Sequence, residues 1–325
     1  MEQDITKPFT IGMDLGGTKV EAGLIDAEGR ILSEIRYPTN PDKGADGIVA
    51  DIIDAVNRLQ DQAGQKAGAV GIGAAGQIDS EGVVRSAPNL PFHNEPLQTR
   101  LEKELRLPVV VTNDVRAATY GEWRYGSGKG VDDLVVLFVG TGIGGGVVSG
   151  GHLLKGCNNT AGELGHITLV AEGRRCRCPN HGCLEAYAGG WAIAERAQEV
   201  VLSDPKKGER LKSLAGSVEN ITATTVSQAY HEGDPLAKKL VEKTGNYLAS
   251  GVVGIVNAFN PCLLVLGGGV IEGLPELIPI VEAIIRKRAL KPSVEKLKIV
   301  KAVLGVKAGV IGAAALAYNK VEGGR

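Results

Sequence analysis

An apolar strand, a glycine-rich turn and a second apolar strand follow one another twice in this chain, at 9–25 and at 134–149. Each copy is followed by segments with helical spacing of apolar residues and by further short apolar strands. This repetition of pattern, without identity of sequence, predicts an α/β protein built from two similar halves. Ligands commonly bind at the junction of two such halves, so the pattern also predicts a cleft there.

Length and composition restrict the class of protein. A chain of 325 residues is long enough for two domains with separate cores. Its net charge of −1 excludes the basic surface expected for nucleic-acid binding, and no apolar stretch is long enough to cross a membrane. The polar first ten residues lack the apolar region of a signal peptide. Five cysteines without a mark of secretion fit a cytoplasmic protein with a metal site.

Four potential metal ligands stand close together in the sequence: His166, Cys176, Cys178 and Cys183. Three thiols and one imidazole are a common ligand set for structural zinc. The first two cysteines lie in a polar, arginine-rich loop, which argues against burial as small apolar side chains, and a disulfide would leave one thiol over. His181 in the same loop is a rival ligand unless it is simply an exposed loop histidine. We predict one structural Zn²⁺ at this loop.

The first glycine turn follows a strand that ends in an acid, Asp14. Gly16 and Gly17 allow a tight hairpin whose free backbone amides would form an anion-binding nest, to which Thr18 adds a hydroxyl and Lys19 a cation. A carboxylate beside a phosphate is well placed to hold Mg²⁺, so Asp14 is the predicted magnesium ligand. A plain hairpin without a ligand is the alternative interpretation.

The second glycine turn, GTGIGGG, contains the spacing GxGxxG. The residues after it are typical of a strand, whereas a dinucleotide-binding loop requires a helix there. We therefore interpret this turn as a second phosphate-binding hairpin, acting through Thr141 and Gly142. A third glycine turn follows a later apolar strand, and it would let a purine or a ribose approach Gly267, Gly268 and Gly269, unless it is only the turn that ends that strand.

A polar pair, Asn113 and Asp114, follows the apolar strand at 108–112. Sites in α/β proteins are built at the carboxyl ends of strands. Asp114 is a candidate general base that would take the proton of a substrate hydroxyl. The alternative is that Asp114 caps the helix that starts near Val115. Together with two phosphate turns and a metal-binding acid, this pair indicates phosphoryl transfer, which depends mainly on positioning and charge stabilisation.

Nearly the whole chain resembles the ROK family of bacterial sugar kinases and repressors. The similarity is carried by DLGGTK, by LFVGTGIGGGVVSGGHLLKG, and by AGELGHITL together with CRCPNHGCLE. The resemblance implies a two-domain actin/hexokinase-like (ribonuclease H-like) fold with an interdomain cleft. We expect a small α/β domain with the first phosphate turn at 1–114 plus 308–325. A large α/β domain at 115–307 would carry the second turn and the zinc-bearing sugar loop.

The resemblance also implies roles for individual residues. Asp114 is similar to the base that takes the proton of the sugar hydroxyl. Sugar contacts are implied at Gly76, Asn89, Asn113, Asp114, Glu163, His166 and Glu185. His166 has two functions in the family, with one ring nitrogen on zinc and the other toward the sugar.

Three positions depart from the family pattern. Pro179 replaces the usual glycine after the second cysteine, and proline would change the loop geometry. Arg116 stands where an asparagine is common, which would alter a supporting hydrogen bond or a hinge contact. Ala75 stands where many members have proline, at a position that bears on the preference among sugars.

The predicted function is ATP-dependent phosphorylation of a hexose, most simply of glucose to glucose 6-phosphate, because SAPNLP looks glucokinase-like. The cofactors would be structural Zn²⁺ and Mg²⁺ with ATP, and another nucleotide or polyphosphate is the alternative phosphate donor. Alternatives are a kinase for N-acetylhexosamines (GlcNAc or ManNAc) or another hexose, a transcriptional repressor, a sugar-responsive regulator of the same family without a DNA-binding domain, and a non-catalytic sugar-binding protein. We expect the strand near Phe9 to leave no room for the DNA-binding domain of the repressors, and the intact Asp114 opposes the last alternative. Partners would be the hexose and ATP, with a homodimer or higher oligomer expected.

Overall fold

The computed structural model describes residues 8–323, so the polar opening segment at 1–7 lies outside the described residues. The strands are β1 Phe9–Leu15, β2 Lys19–Ile25, β3 Ile31–Pro38, β4 Ala67–Ala74, β5 Gln77–Ile78, β6 Val84–Ser86, β7 His93–Glu95, β8 Val109–Asn113, β9 Leu134–Val139, β10 Ile143–Ser149, β11 His152–Leu153, β12 Leu263–Gly267 and β13 Lys298–Lys301. The α-helices are α1 Gly44–Ala63, α2 Leu97–Leu105, α3 Asp114–Arg124, α4 Glu185–Ala188, α5 Gly190–Ser203, α6 Glu209–Ala215, α7 Ala223–His231, α8 Pro235–Phe259, α9 Gly269–Gly273, α10 Leu277–Arg288, α11 Lys291–Glu295 and α12 Ala308–Glu322.

The chain divides into two compact units, and the first comprises the described parts of 1–130, 153–162 and 303–325. Its main sheet has the order β3-β2-β1-β4-β8. β1 pairs with β2 and β2 with β3 in antiparallel fashion, so these three strands form a meander. β4 is parallel to β1 and to β8. The strands at the centre are almost wholly buried, as expected where a sheet is covered on both faces.

The second unit comprises 131–152 and 163–302. Its sheet has the order β11-β10-β9-β12-β13, with β9 antiparallel to β10 and β12 parallel to both β9 and β13. The two sheets therefore place corresponding strands in the same order. The predicted repetition of strand, glycine turn and strand is confirmed by β1–β2 and β9–β10.

The units differ from the predicted domains in their boundaries. The first unit continues to residue 130 because α3 packs against α12, where a Cβ atom added at Gly121 would lie 2.6 Å from the carbonyl oxygen of Ala308. It also contains 153–162, since carbonyls of this segment accept hydrogen bonds from the buried guanidinium of Arg116. Contacts between distant parts of the chain thus set the boundary.

Small residues let α12 lie very close to the sheet of the first unit. A Cβ atom added at Gly12 in β1 would overlap the carbonyl oxygen of Val310, and one added at Gly71 in β4 would overlap that of Ala313. The helix interior contributes mainly alanine and glycine to this contact. This helix of small residues supports the strands that carry the first glycine turn.

Some elements of the structure were not apparent in the sequence. The small sheet β5-β6-β7 consists of strands of two or three residues, too short to have a periodic pattern. The helices α2 and α10 were also not predicted. Over residues 8–323, no helix combines the length and the apolar character needed to cross a membrane.

We expect Gly71→Ala to destabilise the protein by about 3 kcal/mol or more, because the added methyl group meets backbone that cannot rotate away. Gly254→Ala is the matched control: Gly254 is exposed within α8, and an added Cβ atom there has nothing within 4 Å. The control should be more stable than the parent by about 0.5–1 kcal/mol. Denaturant unfolding of the three proteins checks both values, and a parent-like Gly71→Ala would contradict the close packing of α12.

Candidate active site

Asn113 and Asp114 have separate roles at the start of α3. Asn113 is the N-cap, and its Oδ1 accepts a hydrogen bond from Arg116 N at 3.1 Å. The alternative that Asp114 caps this helix is therefore wrong. Asp114 Oδ1 accepts hydrogen bonds from Val115 N and from Asn113 Nδ2, each at 2.9 Å. Asn113 Nδ2 also donates to the carbonyl of Gly76 at 3.2 Å, so three predicted site residues form one network.

Asp14 lies near this network at the end of β1. Burial, followed by the charges of Asp114 and Glu21, raises its pKa to about 7 against the opposing effect of Lys19. The Nζ of Lys19 lies 2.8 Å from Glu21 Oε1. The start of α12 packs on the carboxyl group, since a Cβ atom at Gly309 would lie 2.9 Å from Asp14 Oδ2. A carboxyl group in these surroundings gains from a bound cation, which offsets the neighbouring negative charges.

The first glycine turn differs in one respect from the predicted nest. The N–H of Gly16 donates to the carbonyl of Lys19 at 3.1 Å, so this amide closes the turn and is not free. Asn89 packs so closely against the turn that only glycine fits at position 17, because a Cβ atom there would overlap the Cβ of Asn89. The predicted sugar contact Asn89 therefore lies against the predicted phosphate turn, where the side chain of Thr18 is exposed.

The second glycine turn is shorter than predicted. Gly140 N donates to the carbonyl of Gly142 at 2.9 Å, and β10 begins at the next residue. Gly144, Gly145 and Gly146 accordingly lie within the strand. At Gly145 an added Cβ atom would lie 2.9 Å from the carbonyl oxygen of Val136, so these glycines serve the sheet and not a turn.

The backbone at the start of α5 holds this second turn in place. Gly190 N donates to the carbonyl of Gly140, and Trp191 N donates to the carbonyl of Thr141, both at 2.9 Å. The position of the turn thus depends on a segment that lies about fifty residues later in the sequence.

Glu185 lies beneath the second turn and is almost fully buried. Its Oε2 accepts a hydrogen bond from Ile143 N at 2.8 Å, and its Oε1 accepts one from Trp191 Nε1 at 3.1 Å. A Cβ atom at Gly142 would overlap Oε2, which explains a glycine at this position. The predicted sugar contact therefore also supports the predicted phosphate turn. No local sequence signal indicated this second role.

The four predicted metal ligands come together in the second unit. The donor atoms of His166, Cys176, Cys178 and Cys183 all lie within 4.8 Å of one another. The Sγ of Cys176 is 3.7 Å from His166 Nδ1, and the Sγ atoms of Cys178 and Cys183 are 3.6 Å apart. Ligands at zinc bond lengths of about 2.0–2.3 Å in a tetrahedron would be separated by roughly 3.3–3.8 Å, so the donor set fits a tetrahedral metal ion.

The loop that carries these ligands is held by its own backbone. Cys176 N donates to the carbonyl of Asn180 at 3.1 Å, and Arg175 forms an antiparallel bridge with His181. His181 is exposed and is not part of the ligand cluster. Pro179 leaves the four ligands together. Burial and the neighbouring thiols raise the pKa of Cys183 to about 12, so a metal ion would displace a proton there.

His166 and Glu163 are joined by a short 3₁₀ turn, Leu164–His166, in which His166 N donates to the carbonyl of Glu163 at 3.0 Å. This turn packs on the start of β10, because a Cβ atom at Gly165 would overlap the carbonyl oxygen of Ile143. Since His166 Nδ1 faces the thiols, the Nε2 atom is the ring nitrogen available to another partner.

The second unit contains a cavity of about 460 Å³ beside the second turn. Thr141 and Gly269 are the predicted nucleotide residues that line it. Gly267 and Gly268 do not: the first packs against Phe138, and the second, at φ 91°, approaches the backbone of β9. The remaining lining residues, which the sequence analysis missed, are Gly140, Gly190, Trp191, Ala194, Thr222, Ala223, Thr224, Ser227, Val270, Gly273 and Leu274.

The lining of this cavity is apolar with a few hydroxyl groups, and it has no charged side chain. Thr222 is the N-cap of α7 and forms a capping box with Thr225. Ser227 Oγ donates to the carbonyl of Gly273 at 2.6 Å. The Thr-Ala-Thr-Thr run predicts a helix start, but only the fold brings that start next to the turn after β12.

The family model for ROK proteins matches residues 10–320. A glucokinase of Streptomyces coelicolor is 37% identical over 319 residues, which cover 95% of this chain and 97% of the relative. Among solved structures, a ROK family glucokinase from Streptomyces griseus in complex with glucose and AMPPNP is 38% identical, with a TM-score of 0.79 over 95% of this chain and 99% of that chain. The ROK hexokinase from Thermus thermophilus is 34% identical, with a TM-score of 0.83 over 97% and 99%. The α/β chain with two corresponding sheets and a Cys₃His cluster belongs to the ROK family and has its actin-like sugar kinase fold.

Proposed function

We propose that this protein transfers the γ-phosphoryl group of ATP to glucose and forms glucose 6-phosphate. The observation that carries the proposal is the network of Asp114, Asn113 and Gly76 beside the half-buried carboxyl group of Asp14. It occurs in a chain that is similar over nearly its full length to a glucokinase and to a glucokinase solved with glucose and an ATP analogue. A purified protein that releases ADP only when glucose is present would satisfy the proposal.

Asp114 is the proposed general base. Two hydrogen bonds to its Oδ1 fix the plane of the carboxylate, so that its orientation does not depend on the substrate. The proton of the primary hydroxyl of glucose passes to this carboxylate as the hydroxyl oxygen attacks the γ-phosphorus. The bond between that phosphorus and the bridging oxygen to the β-phosphate breaks, and ADP leaves.

The proposed nucleoside site is the cavity of the second unit, and each glycine turn is proposed to bind phosphate through its own backbone amides. Backbone amides of Gly17, Thr18 and Gly142 are the proposed donors to phosphate oxygens. Asp14 is the proposed ligand of Mg²⁺, which when bound neutralises charge on the β- and γ-phosphates. Because the fold keeps the carboxyl group of Asp14 partly protonated near neutral pH, cation binding and proton binding compete at this residue.

The proposed metal in the Cys₃His cluster is Zn²⁺ with a structural role. Four protein ligands close the coordination shell, which leaves no position for a substrate. Glu163 and Glu185 stand on either side of this loop in the sequence, and His166 belongs to it. A rigid loop would hold these three side chains in one arrangement for the hydroxyl groups of the sugar.

Asp114→Asn tests the general base. Asn keeps the shape of the side chain and an oxygen for the bonds from Val115 and Asn113, and the cap at Asn113 is untouched. We expect kcat for glucose phosphorylation to fall by about 10²–10⁴-fold with little change in glucose affinity. Steady-state kinetics and titration calorimetry measure the two quantities. Asp54→Asn, at an exposed position of α1, is the control, and a folded Asp114→Asn protein with most of its turnover would remove Asp114 from the mechanism.

Asp14→Asn tests the raised pKa of Asp14 through the pH dependence of the free energy of unfolding. An acid with a folded pKa of about 7 and a usual value of 3.8 binds its proton more tightly in the folded state. Its contribution to stability is therefore complete below pH 4 and is lost as the pH rises to 7. Without divalent cations, the stability of Asp14→Asn relative to the parent should increase by about 2–3 kcal/mol from pH 5 to pH 8.

The control for this pH series is Asp42→Asn, at an exposed position in the same unit. Its stability relative to the parent should stay constant over the series. A gap between Asp14→Asn and the parent that does not change with pH would show that Asp14 is ionised throughout.

Cys178→Ala tests the metal loop. We expect the parent to contain one zinc ion per chain, and the variant to lose metal and to bind glucose more weakly while the rest of the fold persists. Elemental analysis and calorimetry measure metal content and affinity. Cys262→Ala, in the same unit but outside the cluster, should change neither. A metal-free Cys178→Ala protein with unchanged glucose affinity would separate the loop from sugar binding.

A further inference from the structure

Trp191 is the side chain that connects the separate parts of the second unit. It is 8% exposed and lies in the first turn of α5. Its Nε1 donates to Glu185 Oε1 at 3.1 Å, and its side chain lines the cavity next to Thr141. The guanidinium carbon of Arg177, which lies between two metal ligands in the sequence, is 4.6 Å from the centre of the indole ring.

The hydrogen bond from Trp191 helps to orient the buried carboxylate of Glu185. Such a group needs hydrogen-bond donors, and Glu185 receives one donor on each oxygen. The donor at Ile143 is backbone within β10 and is fixed by the sheet. The donor at Trp191 is a side chain, and its hydrogen bond holds Oε1 in position. Without it, the carboxylate can turn about its bond to Ile143 N, and any hydroxyl group bound by it would be displaced.

The ring of Trp191 borders the cavity proposed for the nucleoside of ATP. A cavity that has no charged side chain and is bordered by an indole suits a flat, neutral group such as a nucleobase, which stacks on aromatic rings. The guanidinium group of Arg177, which packs on the ring of Trp191, is part of the metal loop. The position of the indole therefore also depends on that loop.

We propose that Trp191 is a positioning residue for both substrates, whose indole N–H orients the hexose-binding carboxylate of Glu185 while its ring forms a wall of the nucleoside site. This inference rests on the proposed function. It adds that one side chain, assigned no role by the sequence motifs, sets hexose affinity through Glu185 and contacts the nucleoside directly.

Trp191→Phe removes the N–H and keeps an aromatic wall. In the full-length protein we expect KM for glucose to rise by about 5–20-fold, while kcat and KM for ATP change by less than about 2-fold. Trp191→Leu removes the ring as well, and should raise KM for ATP in addition. A role in folding alone would not divide the two KM values in this way. A folded Trp191→Phe protein with a parent-like KM for glucose would overturn the positioning of Glu185.

The chain offers a matched control because it has two tryptophans. Trp123 lies in α3 of the first unit, where it packs on Tyr120 with ring centres 5.3 Å apart. Trp123→Phe should leave both KM values unchanged. It also leaves Trp191 as the only indole, so that its fluorescence reports on the cavity.

We expect the fluorescence of the Trp123→Phe protein to change when a non-hydrolysable ATP analogue is added, and that of Trp191→Phe to stay constant. Calorimetry establishes the analogue concentrations at which the site is occupied. A constant fluorescence signal of Trp123→Phe at those concentrations would overturn the proposal that Trp191 contacts the nucleoside.

Failure of the proposed function gives a different result. In that case the parent itself would show no glucose-dependent release of ADP. The bond between Trp191 and Glu185 is then tested by unfolding Trp191→Phe, Glu185→Gln and the double variant. Strictly additive effects would show that the two side chains are not coupled.

Discussion

The arrangement of the second unit depends on one buried carboxylate. Two neutral N–H groups, from Ile143 and Trp191, satisfy the two oxygens of Glu185. Burying such a group without donors would be strongly unfavourable, so the second glycine turn, the start of α5 and the end of the metal loop must adopt positions that supply them. Glu185 follows the last metal ligand, Cys183, by only two residues. A displacement of the metal loop would therefore also displace the carboxylate of Glu185.

The first unit solves a related problem by dividing two tasks between neighbouring residues. A helix start needs an acceptor for its free N–H groups, and a base needs an acceptor that remains available to the substrate. Asn113 caps the helix through Arg116 N, so the carboxylate of Asp114 is not needed as the cap and is available for its proposed role as the base. The amide of Asn113 also donates to Asp114 Oδ1, so the cap residue orients this carboxylate. A single aspartate could not cap the helix and accept a proton without weakening one of these functions.

The sequence sufficed where the signal is local. The meander, the long helix α8 and the metal ligands follow from the spacing of apolar residues, prolines and cysteines within short segments. The sequence was insufficient where two possibilities differ by one residue or where the contact spans the chain. The cap fell on Asn113 instead of Asp114 because both residues cap well and only the backbone direction distinguishes them. The cavity and the second role of Glu185 depend on segments forty or more residues apart, and the pKa of Asp14 depends on burial by α12.

The two units place their acidic groups under opposite electrostatic conditions. In the first unit, burial raises the pKa of Asp14, and the charges of Asp114 and Glu21 raise it further; a bound cation would offset that repulsion. In the second unit, neutral N–H groups donate hydrogen bonds to both oxygens of Glu185. This carboxylate therefore does not require a neighbouring cation, and neutral hydroxyl groups are suitable further donors. The difference supports the two proposed roles: the uncompensated negative charge at Asp14 favours a bound cation, whereas the satisfied carboxylate of Glu185 favours the neutral hydroxyl groups of a sugar.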